Sequence, residues 1–245
     1  MQTEVRYSHL TPSELRRRRE EAPIAYLPLG TLEWHGEHLP LGADGLQSSG
    51  FFQHLAREVG GVVLPMLFLG PDITAVHDGR EFYGMDVVGF PDQPPQQLEG
   101  SAYHIPDQIF DQLVEQTLKQ LRRAGFRVVM AHGHGPSIHR FTEHIPRWEQ
   151  QLDLRLFTAW SGKDAAMPGL QTDHAAANET SLTMFLYPHL VHMENLDNDP
   201  NTWPLGVAGR DPRFHASAEH GQELVEYHSH RLAVLLRNAI KELQR

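Results

Sequence analysis

Residues 24–45 read IAYLPLGTLEWHGEHLPLGADG. The first six, Ile24 to Leu29, form a short apolar run between Pro23 and Gly30. A strand buried on both faces reads this way. The rest, Gly30 to Gly45, is polar and carries Glu33, His35, Glu37, His38 and Asp44. An apolar strand that empties into a loop rich in carboxylates and imidazoles puts chemistry at a strand exit.

Outward from this stretch the pattern repeats. Upstream, Thr11-Pro12-Ser13-Glu14 opens a helix: Thr11 caps, Pro12 fits the first turn and Glu14 completes a capping box. That helix runs to about Glu21, where Pro23 stops it. Downstream, a helix is expected from about Leu46 to Val59, with Phe51, Phe52 and Leu55 facing a core. After Gly60-Gly61, residues 62–69 form a second strand-like run. Residues 70–100 are rich in Gly, Pro and Asp without a clear period, the mark of a long functional loop or a small subdomain. A strong helical pattern covers Pro106 to Arg123 and ends at Gly125. Phe126 to Ala131 is a third strand, emptying into His132-Gly133-His134-Gly135-Pro136. A helix from about Ser137 to Gln151, a fourth strand from Leu154 to Trp160, a helix from Thr180 to Tyr187 and a last helix from Gln222 to Leu243 complete the pass, with residues 193–222 irregular. Strand, glycine-rich turn and helix alternate, so the expected fold is α/β: a mostly parallel sheet flanked by helices, in three α/β/α layers. No internal repeat or linker divides the chain, and residues 1–245 read as one domain. In such sheets ligands bind beyond the C-terminal ends of the strands, and the turns at 30–45 and 132–136 lie there.

Composition narrows the chemistry. The chain has 245 residues and no cysteine, which excludes disulfides, thiolate zinc sites and cysteine nucleophiles. Any metal must therefore sit on nitrogen and oxygen ligands. A net charge of −10 speaks against a nucleic-acid partner, and the basic run Arg16 to Arg19 is followed at once by Glu20 and Glu21. No apolar stretch approaches the roughly 18 residues of a membrane span. The first residues lack a signal-peptide layout, so the cytoplasm is the default location. Histidine is unusually abundant, with 17 copies, several of them in glycine-rich turns.

Three segments carry candidate ligands. In the first, Glu33 and His35 are two apart and point the same way in an extended chain, while Asp44 can return to them after the turn at Pro40. Carboxylate and imidazole donors suit Zn, Mn or Fe(II). In the second, glycines around His132 and His134 allow a tight turn and close approach to a ligand, and either histidine could instead be packed in the turn. In the third, Asp173-His174-Ala175-Ala176-Ala177-Asn178-Glu179-Thr180-Ser181, Glu179 sits near a helix start, where a carboxylate also suits the helix dipole.

These segments, in this order, resemble the creatininase family. GTLEWHGEHLPLGAD (residues 30–44) is similar to its Gly-Ser-x-Glu-Gln-His-Gly-Pro-His-Leu-Pro-Leu-x-Thr-Asp motif. HGHGPS (132–137) is similar to Asn-Gly-His-Gly-Gly-Asn, HAAANETS (174–181) to His-Ala-Gly-x-x-Glu-Thr-Ser, and GVAGRDP (206–212) to a Gly-Val-x-Gly-Asp-Pro stretch. The resemblance implies a hydrolase with two divalent metal ions (Zn, Mn or Fe) held by Glu33, His35, Asp44, His134 and Glu179, with Asp44 bridging. It makes His134 the ligand of its pair and gives His174 the proton transfer. Glu179 is thereby both ligand and part of the catalytic set. The implied reaction is attack of a metal-activated water on a carbonyl, most simply of a small or cyclic amide. Creatininase itself has a glutamate two residues after the turn histidine, where this chain has Pro136. That departure counts against creatinine as substrate. It leaves open a relative that opens a cyclic ketone C–C bond in sugar or inositol catabolism, and a non-catalytic metal-binding member. The expected partner is a small molecule, and the resemblance implies a homo-oligomer such as a hexamer. Glu37, which replaces a family proline, and His38 stay open between ordinary loop residues and orienting groups.

Overall fold

The computed structural model describes residues 3–161, 167 and 169–243. Its central sheet has four parallel strands, β1 (Ile24–Leu29), β2 (Val62–Val63), β5 (Val128–Gly133) and β6 (Arg155–Thr158). They lie in the order β2-β1-β5-β6. β1 and β5 are buried at every residue, in keeping with their largely apolar composition, with His132 the polar exception near the end of β5. Alternation sends their side chains to two cores. Ile24, Tyr26, Val128 and Met130 join Phe51, Phe52 and Leu55 of α2 (Ala43–Val59) and Leu232 and Leu236 of α8 (Ala218–Leu243) on one face. Ala25, Leu27, Leu29 and Val129 join Phe110 and Leu118 of α4 (Asp107–Arg123) and Phe141 and Trp148 of α5 (Gly135–Leu152) on the other. Each large side chain buried in this way contributes roughly 1.5–3 kcal/mol, and the sheet is held from both sides. The expected three-layer α/β/α arrangement is present.

The helix α1 (Pro12–Glu21) begins at the capping box read from the sequence: Glu14 N donates to Thr11 Oγ1, and Thr11 N donates to the Glu14 carboxylate. Other limits shift, with physical reasons. The run at 62–69 pairs regularly only at Val62–Val63. Pro65, which has no N–H to donate, interrupts it. Leu64 N still donates to the Tyr26 carbonyl and Leu67 N to that of Pro28, so the chain continues beside β1 as an irregular edge. α2 starts at Ala43, three residues before the expected Leu46, which puts Asp44 inside its first turn. α6 (Ala177–Leu186) also starts three residues early, and Glu179 lies in its first turn.

Residues 70–100 form a small subdomain. The hairpin of β3 (Thr74–His77) and β4 (Arg80–Tyr83) leads into the short helix α3 (Met85–Val88). Its two-residue turn, Asp78-Gly79, has positive φ at both positions. An Asp-Gly pair favours that hairpin turn, so the signal was present in the sequence. A short α7 (Pro212–His215) precedes α8.

Candidate metal centre

Every candidate residue lies at the C-terminal end of the sheet, and the local chain explains why. β1 ends at Leu29, and the next residues carry Glu33 and His35 over the strand ends. The Glu33 N–H donates to the Leu41 carbonyl, closing the loop that returns the chain to α2 and Asp44. β5 is in register with β1 up to the pair Leu29–Gly133. At Gly133 φ is +140°, and a Cβ there would overlap the Leu29 carbonyl oxygen, so only glycine fits.

The end of β5 at Gly133 separates the two histidines, which strand alternation alone would put on one face. His132 still belongs to β5 and points into the core, with its ring edge-on to Phe51 and Phe52. Burial presses its pKa down to about 3. His134 comes after the strand end and turns into the centre. The third segment is held by the 206–212 stretch. His174 N donates to the Ala208 carbonyl, Ala208 N to the His174 carbonyl and Ala177 N to the Arg210 carbonyl. Gly209, at φ +148°, lets that stretch pass where a Cβ would meet Ala176 and Asp173 at 2.7 Å.

Glu33, Asp44 and His134 form one group of donor atoms within 4.8 Å of one another, His35, Asp44 and Glu179 form a second, and Glu33, His35 and His174 form a third. Asp44 is shared by the first two, which are buried throughout, whereas His174 is only half-buried. His134 Nδ1 is 3.0 Å from Asp44 Oδ2 and 3.4 Å from Glu33 Oε2. His35 Nε2 is 3.5 Å from Asp44 Oδ1 and 3.7 Å from Glu179 Oε2. All five residues are at most 6% exposed.

The supporting contacts fix which nitrogen faces inward. His35 Nδ1 donates to the Glu33 carbonyl at 3.0 Å, which leaves its Nε2 as a lone-pair donor with no hydrogen-bond partner. His134 Nε2 donates to the Pro71 carbonyl at 3.2 Å and has Asp72 Oδ2 3.5 Å away, which turns Nδ1 toward the carboxylates. Backing of this kind sets the tautomer of a metal-binding imidazole. Glu179 Oε2 accepts from Ala175 N at 2.7 Å, and Asp173 accepts from the Asn178 and Glu179 N–H groups at the start of α6.

Electrostatics point the same way. Burial opposes charge on His35, but Asp44, Glu179 and Glu33 carry its pKa up to about 10. His134 also lies well above the imidazole range: burial is outweighed by Asp44, Asp72 and Glu33. Burial raises Asp44, yet the His35 and His134 cations hold it well below the carboxylate range. Burial pushes Glu179 well above that range against the pull of His35. Without metal, three buried carboxylates and two imidazoles reach charge balance by holding protons, on the imidazoles and, through burial, on Glu179. Divalent cations would take the place of those protons, and the oxygen and nitrogen donor set fits hard or borderline cations.

His174 lies beside this cluster. Its ring stacks on His35 with centroids 4.3 Å apart, and its Nε2 donates to the Trp34 carbonyl at 2.8 Å. Burial, helped by the nearby His35, holds its pKa below the usual imidazole value, so it is neutral near pH 7. A cleft of about 220 Å³ opens over the cluster, with Ile73, Val88, Pro136 and Trp160 among its walls.

The chain matches the creatininase family, described as creatinine amidohydrolase, over residues 8–236. It belongs to that family. Creatininase-family relatives are hydrolases, and this chain is an enzyme of that class. The creatinine amidohydrolase of Pseudomonas putida is 26% identical over 207 residues, covering 74% of this chain and 71% of that protein. The 3-dehydro-scyllo-inosose hydrolase of Thermotoga maritima is 22% identical over 214 residues. That match covers 81% of this chain and 61% of the relative, so the chain spans less than two thirds of that protein. A creatinine amidohydrolase crystal structure shares the fold, with a TM-score of 0.73 at 23% identity over 97% of this chain and 98% of that one. The manganese form of creatininase gives 0.72 at 22% identity over 97% and 99%.

Within this family member two further side chains touch the cluster without belonging to a quoted motif. Asp72 backs His134, and Gln171 Nε2 donates to Asp44 Oδ1 at 3.1 Å. Asp72 follows directly on the 62–69 run, so its place at a strand exit was a usable sign. Gln171 carried none. The two open loop residues also resolve. His38 is fully buried, with Nε2 2.9 Å from Thr180 Oγ1, and lies outside the cleft lining. Glu37 is exposed, and its carbonyl accepts from Asn195 Nδ2. Among the described residues, no helix is long and apolar enough to cross a membrane.

Proposed function

We propose that this protein is a two-metal hydrolase that cleaves a C–N bond in a small or cyclic amide. The observation that carries this reading is the pair of ligand triads sharing Asp44. Glu33, Asp44 and His134 would hold one ion; His35, Asp44 and Glu179 would hold the other. Two divalent cations, when bound, lower the pKa of a water toward about 7 and polarise a carbonyl. The metals are Zn, Mn or Fe, and the reading includes a homo-oligomer, such as a hexamer, in the cytoplasm. Relatives described as a Zn–Zn type mutant creatininase and as the Mn form of creatininase support such metals.

The chain's own residues do the rest. The Glu33 and Pro71 carbonyls keep His35 and His134 in donor-ready tautomers. The cleft walls limit water around the reacting bond. His174 is neutral and anchored through Nε2 on Trp34, so its other nitrogen is the one free to take a proton and return it to the leaving amide nitrogen. Pro136 stands where creatininase has a glutamate, two residues after His134 of the first triad, and Glu179 belongs to the second triad.

A second reading has its own support. The Thermotoga maritima relative is a 3-dehydro-scyllo-inosose hydrolase, so the same centre would cleave a C–C bond beside a cyclic ketone. A panel of lactams, formamides and inososes, assayed with the metal-loaded protein, tests both. Turnover of the lactams or formamides supports the first reading and turnover of inososes the second. Inertness toward all three classes, with metal bound, would contradict both.

A further inference from the structure

Asp44 is the carboxylate that both triads share, so its orientation matters more than that of any other ligand. A residue from a distant segment takes up its freedom. Gln171 Nε2 donates to Asp44 Oδ1 at 3.1 Å and reaches the Asp44 carbonyl at 3.2 Å. At its other end Gln171 Oε1 accepts from Ser48 Oγ at 3.2 Å, one turn further along α2. Ser48 Oγ also lies 2.7 Å from the Asp44 carbonyl. The amide is thus fixed at both ends. Gln171 is 9% exposed, and it lines the cleft beside the cluster.

Its backbone is in the left-handed region, at φ +51°. Glycine adopts that conformation freely and glutamine does not. A turn that served only to carry the chain past α2 would suit glycine better. Strain of this kind concentrates at sites where a side chain is needed. The geometry around Asp44 shows what the side chain supplies. Oδ2 faces His134 Nδ1 at 3.0 Å, while Oδ1 faces His35 Nε2 at 3.5 Å. A bridging carboxylate must keep each oxygen on its own side, yet the terminal torsion of Asp is broad. An amide N–H held on Oδ1 restrains that torsion.

We propose that Gln171 is a positioning residue of the metal centre, fixing the plane of the Asp44 carboxylate so that both triads are ready to accept ions. This rests on the two-metal reading. The test titrates metal-stripped protein with Mn²⁺ and Zn²⁺ and compares the wild type with Gln171→Met and Gln171→Gly. Methionine keeps the side-chain length without the amide; glycine removes the amide and also relieves the backbone. Partners behind metal ligands typically contribute 10- to 100-fold in metal affinity. Both variants should therefore bind metal about 10- to 100-fold more weakly, with a metal-free melting temperature close to that of the wild type. Wild-type affinity in either folded variant would overturn the proposal. Failure of both variants to fold without metal would overturn it too, because it would assign Gln171 to the fold. A wild type that binds no metal is a different outcome and removes the two-metal reading itself.

Discussion

At the residue scale, a few side chains decide whether the centre exists and whether it turns over. His174→Ala separates the two. His174 stacks on His35 and, although near enough to Glu33 and His35 to form a third candidate group, lies outside the two triads that share Asp44. The variant should keep its metal and its fold while kcat falls about 10²- to 10⁴-fold, the usual contribution of a general acid or base. Measuring kcat, bound metal and melting temperature on one preparation checks this; an active but less stable variant would remove His174 from the chemistry. Asp44→Ala and His38→Ala make a second comparison. Both residues are buried, His38 in the loop and Asp44 in the helix turn that follows it, but Asp44 joins two triads while the His38 ring reaches Thr180 Oγ1 and joins no candidate ligand group among the described residues. Asp44→Ala should abolish metal uptake. His38→Ala should keep it and lose about 1 kcal/mol of stability, the worth of an ordinary hydrogen bond. Equal metal loss in the two would show that the loop is wrongly understood. Glu33, His35 and Asp44 were legible in the sequence because they sit in a dense polar turn after an apolar run, whereas His134, His174 and Glu179 were singled out by the family resemblance. Gln171 was not. Its partner Asp44 lies far away in sequence, and a positive φ at glutamine leaves no compositional trace.

At the element scale, helix starts aim the candidate ligands. α2 and α6 both begin three residues earlier than their apolar periodicity suggests, and each therefore carries a candidate ligand carboxylate, Asp44 or Glu179, in its first turn. Periodicity misses such turns because their inward side is polar: it faces the carboxylate and histidine cluster, not a core. Residues in α6 depend on Asp173, whose carboxylate accepts from the Asn178 and Glu179 N–H groups. Losing a cap of this kind costs about 1 kcal/mol. In a protein of this size that is a fall of roughly 2–4 °C in Tm. Asp173→Ala should show that fall and a weakened metal affinity together, since Glu179 lies in the loosened turn. A thermal melt and a metal titration on the same variant check it; a lower Tm with unchanged affinity would mean that Glu179 is aimed by something else. Among the strands, β1 and β5 were legible from apolar runs, and β6 from a run that Arg155 and Thr158 interrupt. The β3–β4 hairpin showed only its Asp78-Gly79 turn, since Val76 on it is 72% exposed and, with Phe82 alone buried, its strands carry no alternating pattern.

At the scale of the whole molecule, the centre is a store of protons that metal ions must displace. The His35 pKa, near 10, lies above the ordinary imidazole value of about 6.5. In the metal-free protein its protonated ring therefore stabilises the fold fully below about pH 6.5, and that contribution is lost as pH rises toward about 10. Metal needs the same nitrogen without its proton, so metal binding strengthens over the same window. The gain in Tm on adding Mn²⁺ should grow from about pH 6 to about pH 9, read by thermal melts with and without metal. A gain that shrinks with rising pH would contradict this linkage. The parallel α/β/α architecture was legible as a whole because alternating strands, turns and helices leave few other packings. The convergence of three distant segments on one strand end was carried by the family resemblance more than by any local pattern. The most direct test of the central claim is metal stoichiometry. Gently purified or reloaded protein, assayed by elemental analysis, should hold two divalent ions per chain, and Asp44→Ala should hold none. Protein that holds no metal after reloading, or an Asp44→Ala variant that still holds two, would contradict a centre built around a shared Asp44.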